Sequence, residues 1–562
     1  MCGIFGCLSY KSQDLISKTL QGLKILEYRG YDSAGIAYIT PTELKTVKAV
    51  GEINQLAKKL QTRPATKVCI GHTRWATNGT VSIKNSHPHL SADGSIAIVH
   101  NGIIENYETC RQKLATHGIK LKTSVDTEVI PNILCYLCHN KHNIHNFLKG
   151  QYVFCMAKTN NNSLFIAKKG NLPLFIGHDD QTLYVTSDTL ALPQTVSEII
   201  PIDNLDTCEI TDTELKFYNH NHAIKKTWLP FSQSFIASDK KGFSTYMEKE
   251  INEIPNVINK ILTIYQQSKT ITTMRQSFRD KLKTARCIHI CGCGTSYHVA
   301  LILAKLFERD MQIRTIAHIS SELTASTFLN ESAIAIVISQ SGETADTLAC
   351  MDILQEHNIP VFALCNVTTS TIAKRSQITF PLLCGPEIAV ASTKVFCAAV
   401  LVGYLLINDY ATKYNDDFVK ETTNVLQNAR QILPTPQKAP KQIIIIGKDI
   451  DYVIALEAAL KIKEVSYVHC EGYPANELKH GPLSMVDNNT LAIVFGDNSS
   501  NAIAEIKARG GKIMVPQFPK TDNPLAFISK IIPAQIFALD LAQKLGNDPD
   551  KPRNLAKSVT VL

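Results

Sequence analysis

The sequence lacks a basic segment leading into an apolar stretch at its start, and its early glycine stands at position 3, which does not fit an acylation site. No export signal or lipid anchor is expected. The longest apolar runs, "FCAAVLVGYLLI" from Phe396 and "AIAIVI" from Ala333, fall short of the roughly 18 residues that span a bilayer. A soluble, cytoplasmic protein with no membrane partner is the expectation. Charge of one sign is also scarce: 58 basic against 50 acidic residues leave +8 over 562 residues, too dilute for a nucleic-acid surface. There is no Gly-Lys-Ser/Thr loop of the kind that holds a nucleotide.

Apolar material is ample, at 44%, and the length calls for two to four domains. The 16 cysteines, with no export signal, read as free and mostly buried thiols rather than a disulfide framework. One stretch tests this. "CYLCHNKHNIH" sets Cys135, Cys138 and His139 in a C-x-x-C-H spacing with His142 and His145 nearby. It continues the helical pattern of "DTEVIPNIL" and has no second ligand pair, so a helix end entering a polar loop is expected, with no metal site and no cofactor.

Residues 1–230 alternate short β-rich runs ("SIAIVHNGII", "QYVFCMAK", "SLFIAKKG", "TLYVTSD") with helical stretches near 12–27 and 105–117. Polar and turn residues break the pattern over 231–245, the expected linker. Beyond it strands feed helices in "CIHICGCGTS", "AIAIVISQSGET" and "PVFALCNVTTS", and, after a break near "LPTPQKAPK", in "QIIIIGKDID" and "TLAIVFGDNSS". That rhythm predicts a doubly wound parallel sheet occurring twice, over 246–430 and 431–562, as a weak repeat. Only the first copy has hydroxyl-rich turns after its strands, so only that half should grip an anion.

Cys2 would carry both a thiol and a free α-amine once the initiator Met is removed, and an amine beside a thiol can generate the nucleophilic thiolate. Alone, Cys2 reads as the start of a strand. However, "LEYRGYDSAG", "GHTRWATNG", "HPH", "VHNGIIEN" and "DTEV" are polar islands at the ends of apolar runs, where loops carry side chains into a cleft. Together they resemble the glutaminase domain of the N-terminal-nucleophile glutamine amidotransferases, an αββα sandwich. The resemblance implies that Cys2 attacks the side-chain amide of glutamine, that Asn101 and the N–H of Gly102 form an oxyanion hole, and that Arg74 and Asp126 hold the α-carboxylate and α-ammonium. Trp75, Thr77 and His87 would line or gate the pocket. The family pattern continues "HTRWATHG", whereas here Asn78 replaces that histidine, a departure at one expected pocket contact.

"AIAIVISQSGETADTL" is an apolar strand, a hydroxyl-rich turn and a helix start, suited to a phosphate by its free N–H groups and its hydroxyls, or to ordinary capping. The device recurs at Thr295 and Ser296 and at Ser392 and Thr393. These turns resemble the sugar-isomerase family of phosphosugar-binding domains, occurring twice. By that resemblance Ser339, Gln340, Ser341 and Thr344 contact phosphate, with Thr295 and Ser296 beside them, and Val390, Ser392 and Ala556 touch the sugar. In "ALEAALKIKEVSY", Glu457, Lys461 and Glu464 share one helical face. They read either as a solvated salt-bridge ladder or as acid–base groups near the sugar, and "ELKHGPL" adds His480.

The two resemblances imply one chain that frees ammonia from L-glutamine and passes it, shielded from water, to the C2 carbonyl of open-chain fructose 6-phosphate, with isomerisation to the amino sugar. His480 would then assist ring opening, Lys557 in the tail "DKPRNLAKSVTVL" would hold the carbonyl, and Glu464 would move the proton, supported by Lys461 and Glu457. Trp75 and the tail would gate the ammonia, and a homodimer is implied. Two alternatives stay open: a glutamine amidotransferase with a different phosphosugar acceptor, such as phosphoribosyl pyrophosphate, and a non-catalytic sugar-phosphate sensor.

Overall fold

The computed structural model describes residues 2–75, 79–159, 162–170, 172–231, 240–327, 329, 332–409, 415–496 and 500–559. They divide into two compact units, Met1–Ser238 with Ala556–Leu562, and Asp239–Leu555. Most of the expected linker, 232–239, lies outside the described residues.

The first unit is built on two antiparallel sheets, of eight and seven strands. In the first, Gly3–Gln13 runs between Thr66–Arg74 and Thr182–Thr186. In the second, Ile96–Gly102, Tyr152–Lys158 and Ser163–Lys169 are consecutive neighbours. Side chains alternate across a strand, so Ile4 and Leu8 turn inward to a core shared with Val99, Val153 and Ile166. Phe5 and Cys7 turn the other way, into a layer built with Leu15, Leu20 and Leu23 of the helix Leu15–Leu26. That helix is capped by Asp14, whose Oδ1 accepts from the Ser17 N–H at 2.9 Å. On the far side, Ile96, Ile98 and Phe154 pack against Leu114, Val129 and Ile133 of the helices Tyr107–Thr116 and Val129–Tyr136. The layers are helix, sheet, sheet, helix, as expected. Burial on both faces explains why these strands read as nearly continuous apolar runs.

The second unit holds two parallel sheets. Reading across, the first runs Arg314–Ile319, Cys287–Gly292, Ala333–Ser339, Val361–Cys365, Ile378–Pro381 and the second His469–Pro474, Gln442–Gly447, Thr490–Val494, Lys512–Met514. The strand order is the same in both. Each first strand leads into a 17-residue helix, Thr295–Met311 and Ile450–Ser466, ending in a left-handed residue, Gln312 and Tyr467. Gly294 (φ 55°, ψ −124°) and Asp449 (φ 56°, ψ −120°) precede those helices in the same unusual conformation. The repeat is therefore in register residue by residue, and the "GKDID" turn keeps the glycine-type backbone with an aspartate.

One core serves both halves, centred on the helix Lys394–Ile407, every residue of which is buried. The stretch Ala526–Lys544 is long and apolar enough to cross a membrane, but 72% of its apolar window is buried inside this unit, where it packs along Ile450–Ser466.

Candidate active sites

In the first unit, Cys2 stands at the mouth of the strand Gly3–Gln13, held by reciprocal bonds between Ile4 and Ser187: the Ile4 N–H donates to Ser187 Oγ and the Ser187 N–H to the Ile4 carbonyl, both at 3.0 Å. The Cys2 sulfur accepts from the Trp75 N–H at 3.3 Å. Burial pushes the thiol up, while the Trp75 N–H and Arg74 pull it back. Trp75 is braced edge-on by Tyr31, with ring centroids 5.6 Å apart.

Asn101 is the penultimate residue of the strand Ile96–Gly102, buried, its Nδ2 donating to the Cys2 carbonyl at 3.0 Å. Gly102 has φ +115°, and a Cβ there would collide with the Gln151 carbonyl oxygen, so only glycine fits. Arg74 is buried at a strand end, where Cys2, Asp32 and Asp126 all act on its guanidinium. Asp126 Oδ2 accepts from the Ile104 N–H at 2.8 Å, which fixes the carboxylate. Both ring nitrogens of His87 are engaged inside the unit, at 2.9 Å from His72 Nδ1 and 2.9 Å from Thr127 Oγ1. Thr77 and Asn78 lie outside the described residues.

In the second unit, the loops after Cys287–Gly292 and Ala333–Ser339 stand side by side at the carboxyl ends of neighbouring parallel strands, where open α/β sheets bind ligands. The turn after Ser339 folds on its own hydroxyls: the Gly342 N–H donates to Ser339 Oγ at 2.9 Å and the Glu343 N–H to Ser341 Oγ at 3.2 Å. Gly342 has φ +68°, and a Cβ would run into Ser370 Oγ. Gln340 and Thr344 flank the turn, half-buried, with Thr344 heading the helix Ala345–Glu356. Val390 is tied to the Asp550 carbonyl at 3.1 Å. Ser392 Oγ and Thr393 Oγ1 are buried with no hydrogen-bond partner among the described residues, which suits a ligand-contacting hydroxyl at Ser392.

The charged face of Ile450–Ser466 is not a solvated ladder. The side chains of Glu457 and Lys461 are fully buried and that of Glu464 is 20% exposed. Lys461 Nζ donates to Glu464 Oε2 at 2.6 Å and to Thr295 Oγ1 at 3.0 Å, with Glu457 Oε1 3.5 Å away. The Thr295 hydroxyl donates to Glu457 Oε1 at 3.0 Å, and His298 Nδ1 lies 2.6 Å from Glu457 Oε2. Burial works against the Lys461 charge, yet Glu464 and Glu457 hold the ammonium above its ordinary range. The network joins the two halves of the repeat through their helices. Thr295, expected near phosphate, is here a partner of the charged cluster, and Ser296 follows it half-buried in the same turn.

His480 ends a short 3-10 turn, Leu478–His480, and is exposed. Ala556 and Lys557 group with the first unit. The residues the sequence reading missed are His298, next to a motif it did quote, and His72, His100 and Thr127, which lie inside its polar islands. The Cys/His stretch holds no metal-binding group among the described residues. His142 bonds Thr207 and Glu209, His145 bonds Tyr152, and Cys138 donates to the Asn140 carbonyl.

A glutamine amidotransferase domain model matches residues 72–194, and an SIS domain model matches 281–409 and 438–527. The fold and the two clusters thus define a glutamine amidotransferase joined to a paired sugar-isomerase unit. Glutamine–fructose-6-phosphate aminotransferase [isomerizing] of Aquifex aeolicus is 34% identical over 601 residues, and that of Bradyrhizobium diazoefficiens 33% over 614, each covering all of both chains. A solved structure, the C-terminal domain of glucosamine-fructose-6-phosphate aminotransferase from Francisella tularensis, covers 56% of this chain and 100% of its own at 27% identity, with a TM-score of 0.51. The chain belongs to the isomerizing glutamine–fructose-6-phosphate aminotransferase family.

Proposed function

We infer that this protein transfers the amide nitrogen of L-glutamine to D-fructose 6-phosphate with isomerisation, giving D-glucosamine 6-phosphate and L-glutamate, the reaction of class EC 2.6.1.16. The observation that carries this is full-length identity at about a third to enzymes of that name.

In the first unit Cys2 is the nucleophile, with the α-amine freed by Met1 removal as its base. Asn101 and the Gly102 N–H take the developing oxyanion, where each such donor contributes about 3 kcal/mol. Arg74, Asp126, Trp75, Thr77 and His87 form the glutamine pocket. In the second unit Ser339, Gln340, Ser341 and Thr344 hold phosphate, with Ser296, Val390 and Ser392 along the sugar. Glu464 moves the proton between C1 and C2, and Lys461, Glu457 and Thr295 set its orientation and charge. Lys557 holds the carbonyl as a Schiff base, an amine–carbonyl condensation that releases water. The exposure of His480 suits a role in ring opening across a homodimer interface, and the protein acts in the cytoplasm.

The test is glucosamine 6-phosphate formation from fructose 6-phosphate with glutamine or with ammonium, for wild type and Cys2→Ala. Wild type forms product from glutamine and Cys2→Ala does not. Hydrolysis of glutamine by wild type with no amination of the sugar would overturn the acceptor.

A further inference from the structure

The oxyanion donor proposed above, Asn101, has a side-chain amide that can sit either way round, and only one orientation aims NH2 at the reacting centre. The Cys2 carbonyl, which can only accept, calls for that orientation, and a second contact enforces it from below. His72 Nε2 is 2.9 Å from the His100 carbonyl oxygen and 3.1 Å from Asn101 Oδ1. A carbonyl can only accept, so His72 Nε2 carries the proton, and the Asn101 atom facing it must be the oxygen. That turns Nδ2 toward Cys2, where one of its two protons goes to the Cys2 carbonyl at 3.0 Å and the second remains to donate.

The His72 tautomer is itself fixed. Burial holds the His72 imidazolium down to about 3, and keeps His87 well below and His100 below the ordinary histidine range, so all three rings are neutral at pH 7. With Nε2 protonated, His72 Nδ1 is an acceptor, and His87 Nδ1, 2.9 Å away, must donate to it. His87 Nε2 is then an acceptor for the Thr127 hydroxyl at 2.9 Å, and Thr127 Oγ1 accepts from His100 Nδ1 at 2.9 Å. Every proton has one place. Reversing Thr127 would set two bare nitrogens, His72 Nδ1 and His87 Nδ1, against each other.

We propose that His72 is a positioning residue for glutamine hydrolysis, holding the Asn101 amide in its donating orientation through a one-way hydrogen-bond chain that runs from His100 through Thr127 and His87. The inference rests on the reading of Asn101 as an oxyanion donor. Its chemistry is specific: an Nε2–H donor is required at position 72, and the neutral tautomer protonated at Nδ1 does not serve.

The experiment uses the full-length enzyme. Glutaminase kcat and KM are measured for Asn101→Ala, His72→Leu, His72→Gln and the double variant His72→Leu/Asn101→Ala, and histidine nitrogen shifts are read from ¹⁵N-histidine-labelled wild type. An oxyanion contact acts in the transition state only, so His72→Leu should lower kcat about 100-fold, like Asn101→Ala, with KM within about twofold. The double variant should be no slower than Asn101→Ala alone, and His72→Gln, whose Nε2 amide can donate from the same place, should recover at least about tenfold. The spectra should show His72 protonated at Nε2 and His87 and His100 at Nδ1. A His72→Leu kcat within about threefold of wild type, beside a 100-fold loss in Asn101→Ala, overturns this inference alone. Wild-type His72 protonated at Nδ1 does so as well, even where a variant fails to fold. An unimpaired Asn101→Ala overturns the oxyanion reading and this one with it.

Discussion

Acidification from pH 7.5 to 5.5 should destabilise the first unit by about 4 kcal/mol through three histidines, His72, His87 and His89. All three are buried, and burial holds His72 down to about 3 and His87 and His89 well below the ordinary value of 6.5. In the unfolded chain each titrates near 6.5 and binds a proton that the folded state refuses. A folded-state value below the unfolded one means that stability is complete above about pH 6.5 and is lost as the pH falls beneath it. Integrated from 7.5 to 5.5, each ring contributes about 1.4 kcal/mol, hence the total of about 4. His145, lowered to about 4, adds in the same direction. The chain's two tryptophans, Trp75 and Trp228, both belong to the first unit, so urea unfolding followed by tryptophan fluorescence reports that unit inside the intact protein. With a slope of about 2–3 kcal/mol per molar for a unit this size, the midpoint should fall by more than about 1 M. A loss below about 1 kcal/mol would show that these rings are protonated or solvated in the folded state, and would refute the argument.

Lys461→Met leaves the buried Glu457 without its cation and should cost the second unit about 3–5 kcal/mol, read by thermal unfolding. Because the Lys461 ammonium is held above its ordinary 10.5, its contribution is complete below the unfolded value and is lost only as the pH rises through the folded one, so the wild-type lysine's own contribution is constant between pH 6 and 8. Gly342→Ala forces a Cβ onto Ser370 Oγ at a positive φ, and should raise KM for fructose 6-phosphate at least about tenfold in steady-state assays while leaving glutamine hydrolysis intact. Asp449→Gly relieves a left-handed aspartate whose ion pair with Lys305 is exposed, and should stabilise the second unit by about 1 kcal/mol in chemical denaturation.

The strands were legible because double burial makes them short apolar runs, as in "AIAIVIS" and "QIIIIG", and the repeat was legible because each run ends in a turn and a helix start. The helix carrying Glu457, Lys461 and Glu464 was legible as one charged face, but its burial was not. That depends on Thr295 and His298, some 160 positions earlier, and sequence spacing carries no trace of which helix lies alongside. The first site shows the same limit. "GHTRW", "HPH", "VHNG" and "DTE" each mark a loop at a strand end, but the His72–His87–Thr127–His100 chain forms only when two sheets stack in one register. Thr77 and most of 231–245 lie outside the described residues.

The paired halves of the second unit have divided their labour. One copy has the glycine and hydroxyls at its first helix start, and the other has the helix of buried charges, with aspartate in the glycine's place. Through Thr295 and His298 the first copy supplies the partners that make the second copy's buried charges tolerable. A chain cut between them near residue 436 would therefore yield fragments that are mutual chaperones: the second, alone, would be left with a carboxylate and an ammonium facing an empty interface. The likeness of the two halves thus hides a dependence: neither presents a finished surface where the other is missing.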